Sequence, residues 1–345
     1  MSTALSAKLS FKLRHSPRRR VSGAFALLLA LLLSASMASA QASTAFQFNR
    51  DHADGSVHLH YSFEDIEGQR QQWQLTFLQQ DMLRQPVMFR PLSPARLQRA
   101  LLQQQREFAR QQGWRGAQVE LDNGRLIYQL HNRIGAPENA LPTWRAREAE
   151  ARAEILRQHY YQSLRLHTGN TGYTPDHPRV AAESVSLLSP LIAQLDHSLS
   201  ATYDDYTPRQ ALAYVSHFIQ QIPYAELTDR LQSNGAGFVT PGRLLHDNRG
   251  DCDSKVTLLA ALMAGLFADV ERRIVYLPGH AMFALALDPE PDDIFLRDRL
   301  AGADNDERAT FVIADPTGPA QLNVGEAARA YQSHLRSGAV TLKPI

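Results

Sequence analysis

Apolar residues alternate with polar ones in the first part of the chain, from about residue 44 to residue 90. Such alternation is typical of strands that bury one face. The first predicted strand carries Val57, Leu59, Tyr61 and Phe63 on its apolar face, and the next carries Trp73, Leu75 and Phe77. Because Glu67-Gly68 offers a turn between them, the two segments predict an antiparallel hairpin.

Residues 93 to 179 mix helical and strand-like patterns. Ser93-Pro94 has the form of a helix start, and Asn123-Gly124 between two alternating runs is typical of a tight hairpin turn. The predicted elements are a helix over 93–113, a hairpin over 117–130, a charged helix over about 143–166 and a Gly-, Thr- and Pro-rich loop over 167–179. We therefore expect a β-rich mixed N-terminal domain over residues 41–180.

From about residue 180 the spacing of apolar residues becomes helical. Thr207-Pro208 predicts a helix start, and Pro223 predicts its end. The apolar face of that helix carries Ala211, Leu212, Val215, Phe218, Ile219 and Ile222. The other predicted elements are helices over about 180–199, from Thr240-Pro241 and from Cys252, strands over 273–277, 281–287 and 309–314, and an acidic surface loop over 288–308. We therefore expect a second domain over residues 181–345.

The first 40 residues have the composition of a secretory signal peptide. Six basic residues and no acidic residue accompany an apolar run from Ala24 to Leu33, and Ala38-Ser39-Ala40 provides a small-x-small cleavage motif before Gln41. The apolar run is shorter than the about 20 residues that a membrane-spanning helix needs. We therefore predict a cleaved leader over residues 1–40 and a periplasmic or secreted mature protein. An uncleaved N-terminal membrane anchor is the alternative.

The charge balance and the apolar content of the chain limit the kinds of partner that the protein can bind. The chain holds 36 basic and 35 acidic residues, and removal of the six basic residues of the leader leaves 30 against 35, a net charge of −5. This balance argues against nucleic acid as a partner. After the leader, no segment is apolar enough to predict a membrane span. The whole chain has 44% hydrophobic and 21% charged residues, which argues against disorder, and the length that remains after the leader predicts two folded domains.

A single cysteine, Cys252, is the strongest constraint on function. An exported chain with one cysteine forms no internal disulfide bond, and an unpaired thiol is a liability in an oxidising compartment. Cys252 lies where a helix is expected to begin, and the unpaired N–H groups of a helix start favour a thiolate. The sequence therefore predicts a nucleophile whose pKa lies below its ordinary value of about 8.5. A small buried apolar role is the alternative.

Two further residues can complete a thiol-based catalytic site. His280 follows Pro278-Gly279 at the start of an apolar strand, where its imidazole can exchange a proton with the thiol. Asp315 follows the strand 309–314, and its carboxylate can orient the imidazole. If this strand pairs with 281–287, the strand ends bring Asp315 beside His280. Either residue alone can instead be structural, as a histidine that begins a strand or an aspartate in a turn.

The motifs together resemble the bacterial branch of the transglutaminase-like cysteine peptidase and amidase superfamily. They are Gly250-Asp251-Cys252-Asp253-Ser254-Lys255, Pro278-Gly279-His280-Ala281 and Asp315-Pro316-Thr317, preceded by Ile219-Gln220-Gln221-Ile222-Pro223-Tyr224 and Thr240-Pro241. The resemblance covers about residues 200 to 320 and implies a papain-like α+β core and, for most members, no cofactor. Residues 44–180 resemble no family. The interval of 35 residues from His280 to Asp315 is long because of the acidic loop.

The resemblance also implies a side-chain donor to the oxyanion upstream of the cysteine. Tyr224 and Gln221 are the candidates by position, and Tyr224 is preferred; a place in the hydrophobic core is its alternative role. Some members of the superfamily bind calcium, and the nearby oxygen-bearing side chains are Asp247, Asn248, Asp251 and Asp253. Their spacing is not that of an EF-hand, and helix capping explains the last two equally well. We therefore predict no metal and no cofactor.

The sequence thus predicts an exported cysteine hydrolase that cleaves amide or peptide bonds in a peptide, protein or peptidoglycan-type substrate. Cys252 would attack the carbonyl, His280 would transfer the proton and Asp315 would orient the imidazole. Two alternatives share the fold: transglutaminase-type transfer of the acyl group to an amine, and a non-catalytic peptide-binding protein. The charged residues from Arg249 to Lys255 are expected to keep the entrance to the thiol wet, which favours hydrolysis over transfer.

Overall fold

A computed structural model describes residues 46–83, 92–131, 136–165, 169, 171–228, 237–300 and 307–345. The predicted leader, residues 1–40, lies outside the described residues. From residue 46 to residue 345 the chain is a mixed α+β unit whose N-terminal part is rich in strands, as the sequence predicted. The domain boundary near residue 180 stays a prediction.

The alternating N-terminal segment folds as an antiparallel sheet. Its strands are β1 (Gln47–Ala53), β2 (Ser56–Glu64) and β3 (Arg70–Leu78), in the order β1-β2-β3. The seven apolar residues that defined the predicted hairpin are all buried, and β2 pairs with β3, so that prediction is confirmed. A short helix, α1 (Gln79–Leu83), follows β3.

Two long helices and two small hairpins come next. The elements are α2 (Pro94–Gln111), β4 (Ala117–Asp122), β5 (Arg125–Leu130), α3 (Ala140–Gln158), β6 (Tyr161–Arg165) and β7 (Thr171–Pro175). Asn123 and Gly124 both take positive φ, which is the backbone conformation of a tight hairpin turn. The predicted helix over 143–166 is wrong at its C-terminal end, because Tyr160 adopts a left-handed φ of 56° and the chain enters β6. The predicted loop over 167–179 contains β7.

Five helices follow in the described residues between 177 and 266. They are α4 (His177–Ser184), α5 (Ser189–Thr202), α6 (Pro208–Gln221), α7 (Pro241–Asp247) and α8 (Cys252–Leu266). The single helix predicted over 180–199 is two helices, because Pro190 suits the first turn of a helix and not its interior. Thr207 and Gln210 cap α6 reciprocally, as a capping box.

A second antiparallel sheet is formed by the C-terminal part of the chain. Its strands are β8 (Arg272–Leu277), β9 (His280–Ala286), β10 (Phe295–Arg299), β11 (Arg308–Ala314) and β12 (Thr341–Pro344), with α9 (Arg329–Ser337) before the last. The order is β10-β11-β9-β8-β12, so the pairing predicted between the strands after His280 and before Asp315 is present. The acidic loop predicted over 288–308 is partly wrong, because β10 lies within it and pairs with β11.

Within the second sheet, the inner strands β8 and β9 are buried on both faces. Ile274, Tyr276 and Phe283 share one hydrophobic core with α6, α8 and the first sheet. Val275, Met282 and other residues of the opposite face pack with Leu335 of α9. Helix α8 therefore lies against β9. Within the described residues, no helix combines the length and the apolar character that a membrane crossing requires.

Candidate active site

Cys252 begins helix α8 because the residue before it is a capping aspartate. Asp251 Oδ1 accepts a hydrogen bond from the Ser254 backbone N–H at 2.9 Å and another from Ser254 Oγ at 2.5 Å. Cys252 is the first residue of the helix, so its own N–H is not used in the helical ladder. That N–H can stabilise negative charge on a bound carbonyl oxygen.

The chain before the helix is anchored to the segment that carries Tyr224. Gly250 N–H donates to the Pro223 carbonyl at 3.3 Å, and Ala225 N–H donates to the Gly250 carbonyl at 3.1 Å. A Cβ at Gly250 would lie 2.7 Å from the Leu244 side chain, so glycine permits this close approach. The result is that Tyr224 and Cys252 belong to neighbouring segments.

His280 and Asp315 are brought together by the pairing of β9 with β11. His280 Nε2 lies 2.9 Å from Asp315 Oδ2, and each side chain is only 6% exposed. Thr317 N–H donates to the other carboxylate oxygen, Oδ1, at 3.0 Å. Gln220 Nε2 donates to the Asp315 backbone carbonyl at 2.8 Å. Since Nε2 faces the carboxylate, Nδ1 is the ring nitrogen left to exchange a proton with a thiol.

Glycine also shapes the turn that follows Asp315. Gly318 has a φ of 62°, and a Cβ there would collide with the backbone carbonyl of Gln220 at the end of α6. The turn therefore lies directly against α6, which holds Asp315 in place. Burial raises the pKa of Asp315, but hydrogen bonds from His280 and Thr317 outweigh burial and keep the pKa of this carboxyl below its ordinary value. Asp315 is ionised beside the imidazole at neutral pH.

Tyr331 is a site residue that the sequence did not indicate. Its ring stacks on the His280 ring with a centroid distance of 4.2 Å and an angle of 8° between the planes. Tyr331 lies on α9, and no motif near it marks it as functional. Only the docking of α9 on the second sheet brings the two rings together. The stacked ring covers one face of the imidazole and restricts its rotation.

The surroundings of the Cys252 thiol differ from the sequence prediction. Burial raises the pKa of this thiol above its ordinary value, and the carboxylates of Asp253 and Asp251 raise it further. The backbone N–H of Ala281 lowers it by hydrogen bonding but does not reverse the direction. The predicted lowering of the Cys252 pKa is therefore wrong, because desolvation and the two flanking carboxylates outweigh the effect of the helix start. The thiol needs a base to remove its proton.

Lys255 does not lie at an entrance, in contrast to the prediction that it keeps the thiol wet. Its side chain is fully buried, and Nζ donates to the carbonyls of Ile222 at 2.5 Å and Thr317 at 2.6 Å. These acceptors flank the segments that carry Tyr224 and Asp315. Burial lowers the pKa of Lys255 to about 8, while Asp315 opposes that shift. Lys255 thus ties two parts of the site to α8.

Tyr224 and Gln221, the two predicted oxyanion donors, differ in whether their polar groups are already hydrogen-bonded within the protein. Gln221 Nε2 donates to the backbone carbonyls of Glu64 and His217, so its amide is turned toward β2. Tyr224 is 46% exposed and therefore is not a core residue. Burial of its hydroxyl and the proximity of Cys252 raise the pKa of Tyr224, so this hydroxyl is a donor at neutral pH.

The acidic residues near Cys252 do not fit a calcium site. The Asp247 carboxylate forms ion pairs with Arg243 at 2.6 Å and with His246 at 2.7 Å, and the Asp251 carboxylate accepts a hydrogen bond from Ser254 Oγ. Across the described part of the chain, no group of three or more His, Cys, Asp or Glu side chains is arranged to hold a metal ion.

No family model, curated protein or solved structure matches the chain. The resemblance to the transglutaminase-like superfamily consequently depends on the sequence motifs alone. The fold and the site define a class by their chemistry: an α+β protein with a thiol at a helix start and a buried imidazole–carboxylate pair on the adjoining sheet. These are the parts that acyl transfer through a thioester requires.

Proposed function

We propose that the protein is an exported cysteine hydrolase that cleaves amide or peptide bonds, in the manner of the transglutaminase-like cysteine peptidases and amidases. The observation that carries the proposal is the hydrogen bond of 2.9 Å between the buried side chains of His280 and Asp315, because His280 lies on β9, the strand that packs against α8. A buried histidine that serves only the core has no need of an ionised carboxylate on one nitrogen, whereas a proton-transfer residue does.

The first half of the reaction forms a thioester. The Cys252 thiol proton passes to His280 Nδ1 while Sγ attacks the substrate carbonyl carbon, and the carbonyl oxygen takes the negative charge. The N–H of Cys252 and the Tyr224 hydroxyl are the donors available to that oxygen. The C–N bond then breaks, and the leaving nitrogen takes the proton from His280. Asp315 stabilises the imidazolium between these two steps.

Water completes the second half. It attacks the thioester carbon and gives a proton to His280. The C–S bond then breaks, the carboxylic acid is released, and the proton on His280 returns to Sγ. An amine in place of water would give the transferase alternative. The side chains of Asp253, 31% exposed, and Tyr224 bring polar groups to the thiol even though Lys255 does not. A polar, partly open site favours water, so we propose hydrolysis as the main outcome.

The proposed hydrolase is exported and acts on an amide of the cell envelope or its surroundings. The leader-like composition of residues 1–40 supports export and a mature N-terminus at Gln41. A peptide, protein or peptidoglycan-type amide is the substrate class, and residues 41–180 are proposed to bind or dock it.

A library of amide substrates with mass-spectrometric detection tests the proposal. The mature protein should release amine and acid and should form an adduct with a covalent thiol probe, and Cys252→Ala should do neither. A millimolar amine added to the best substrate should collect only a minority of the acyl groups; a majority on the amine would establish the transferase. Labelling of Cys252 without turnover of any amide would contradict the proposed enzyme and favour the peptide-binding alternative.

A further inference from the structure

A second histidine and a second carboxylate lie near Cys252, and the proposed reaction assigns no proton transfer to either of them. Cys252 Sγ donates to Asp253 Oδ1 at 3.4 Å. The other oxygen of that carboxylate, Oδ2, lies 3.7 Å from His177 Nε2. His177 is 1% exposed and begins α4, which packs against α8. The thiol therefore contacts a carboxylate whose second oxygen faces a buried imidazole.

The orientation of the His177 ring is fixed by contacts of its Nδ1 atom and of its ring face. Tyr276 Oη lies 2.8 Å from His177 Nδ1, and Gln162 Nε2 donates to Tyr276 Oη at 3.3 Å. The Phe238 ring packs against the imidazole with a centroid distance of 4.7 Å. When the Tyr276 hydroxyl donates to Nδ1, the ring proton of the neutral imidazole is on Nε2, the atom aimed at Asp253.

The buried Nε2 atom of His177 has no hydrogen-bond partner among the described residues. A buried N–H without an acceptor is unfavourable, and the Asp253 carboxylate is the charged group it faces. The separation of 3.7 Å is too long for a hydrogen bond and short enough for an electrostatic contact. Asp176, the cap of α4, is the other carboxylate close enough to act on His177, and burial nevertheless keeps the pKa of His177 low.

We propose that His177 and Asp253 form a second imidazole–carboxylate pair whose carboxylate holds the thiol proton of Cys252 in the resting protein and sets the pH at which that thiol ionises. The inference deepens the proposed function, on which it rests, because it concerns the preparation of the same nucleophile. Both members are positioning residues: Asp253 acts on Cys252, and His177 acts through Asp253.

The physical basis is that a thiol can donate to a carboxylate and a thiolate cannot. Loss of the Cys252 proton breaks the bond to Asp253 and leaves two negative charges within about 4 Å, which disfavours the thiolate. His177 is neutral, so the pair keeps a full negative charge beside the sulfur. The thiol is therefore held in its protonated form and is activated when His280 acts as the base and takes the proton.

The pH dependence of iodoacetamide alkylation of Cys252 tests this pair without any substrate. Asp253→Asn keeps the shape and an oxygen acceptor but removes the charge, so the midpoint of the alkylation profile should move down by about one pH unit or more. The matched control is Asp204→Asn, which removes an exposed carboxylate between α5 and α6 and should leave the midpoint unchanged. An unchanged or raised midpoint in Asp253→Asn overturns the inference.

A double-mutant cycle tests the part assigned to His177. His177→Phe alone should raise the midpoint, because Asp253 loses the N–H that faces it, and should add nothing in the Asp253→Asn background. Since His177 is buried, Tyr276→Phe provides a milder variant that removes only the hydroxyl that orients the ring. Equal effects of these changes with and without the Asp253 charge would overturn the role of His177. A downward shift in Asp253→Asn in a protein that cleaves no amide would leave this inference standing and refute the proposed function.

Discussion

Replacement of Asp315 by asparagine should make the His280 ring adopt the wrong tautomer. Thr317 N–H donates to Oδ1, so the carbonyl oxygen of an asparagine should keep that position and its NH₂ group should face His280. An NH₂ donor requires His280 Nε2 to be an acceptor, which puts the ring proton on Nδ1. The nitrogen that should receive the thiol proton is then already protonated.

The size of the effect follows from the charge and the distance. With Nε2 and Oδ2 at 2.9 Å, the centres of the two charges lie roughly 4 Å apart once His280 is protonated. At an effective dielectric constant of about 20, unit charges at about 4 Å attract by about 4 kcal/mol. Since about 1.4 kcal/mol changes a rate tenfold, loss of the charge lowers kcat by about 10³-fold, and the wrong tautomer extends the loss toward 10⁴-fold.

The assay is turnover of the best amide from the library, with kcat and KM determined separately for wild type and Asp315→Asn. The fall should be in kcat, because Asp315 acts on the imidazolium and not on the bound substrate. Asp204→Asn controls for loss of a negative charge elsewhere, and a melting curve verifies that Asp315→Asn is folded. Turnover of Asp315→Asn within about tenfold of wild type would refute the assignment of Asp315 as the residue that orients His280.

Three further predictions concern the residues around this pair. Tyr331→Ala should lower kcat by about 2- to 10-fold because the ring that stacks on His280 is lost, whereas Tyr331→Phe should keep wild-type kcat. An equal loss in both variants would mean that the hydroxyl matters and the stacked ring does not. Tyr224→Phe should lower kcat by about 10²-fold or more with little change in KM, and a wild-type kcat would remove Tyr224 from the oxyanion site. Burial lowers the pKa of Lys255 to about 8, so the unfolded chain binds more protons than the native protein between about pH 8 and 10.5. The free energy of unfolding of wild type should therefore rise relative to that of Lys255→Met across this pH window. Denaturant titrations that show a constant difference between the two proteins would contradict the lowered pKa of Lys255.

Several parts of the fold followed from local sequence patterns. The strands β2 and β3 could be predicted because a period of two places every apolar residue on one face, and all seven are buried. The start of α6 at Thr207-Pro208 followed from cap chemistry, which depends only on residues close in the chain. The end of α3 and the strand β10 were missed, because a left-handed residue and a charged edge strand leave no such local pattern.

The approach of His280 to Asp315 was predictable in outline and not in detail. The sequence placed each at a strand end, and the pairing of those strands was the natural hypothesis. The ring nitrogen that meets the carboxylate, the hydrogen bond from Thr317 and the stacked Tyr331 depend on how α6 and α9 pack on the sheet. Packing of this kind joins residues that are far apart in the chain, so no local pattern records it.

The electrostatic state of Cys252 was the property that the sequence alone misjudged. The chain by itself determined that there is one thiol, that it follows a capping aspartate, and that a histidine and an aspartate come after it in a recognisable order. A pKa, however, depends on the solvent and the charges that surround a group in three dimensions. Only the tertiary structure buried the thiol and placed His177 beside the Asp253 carboxylate, because burial and the approach of α4 to α8 come from packing between elements that are far apart in the chain.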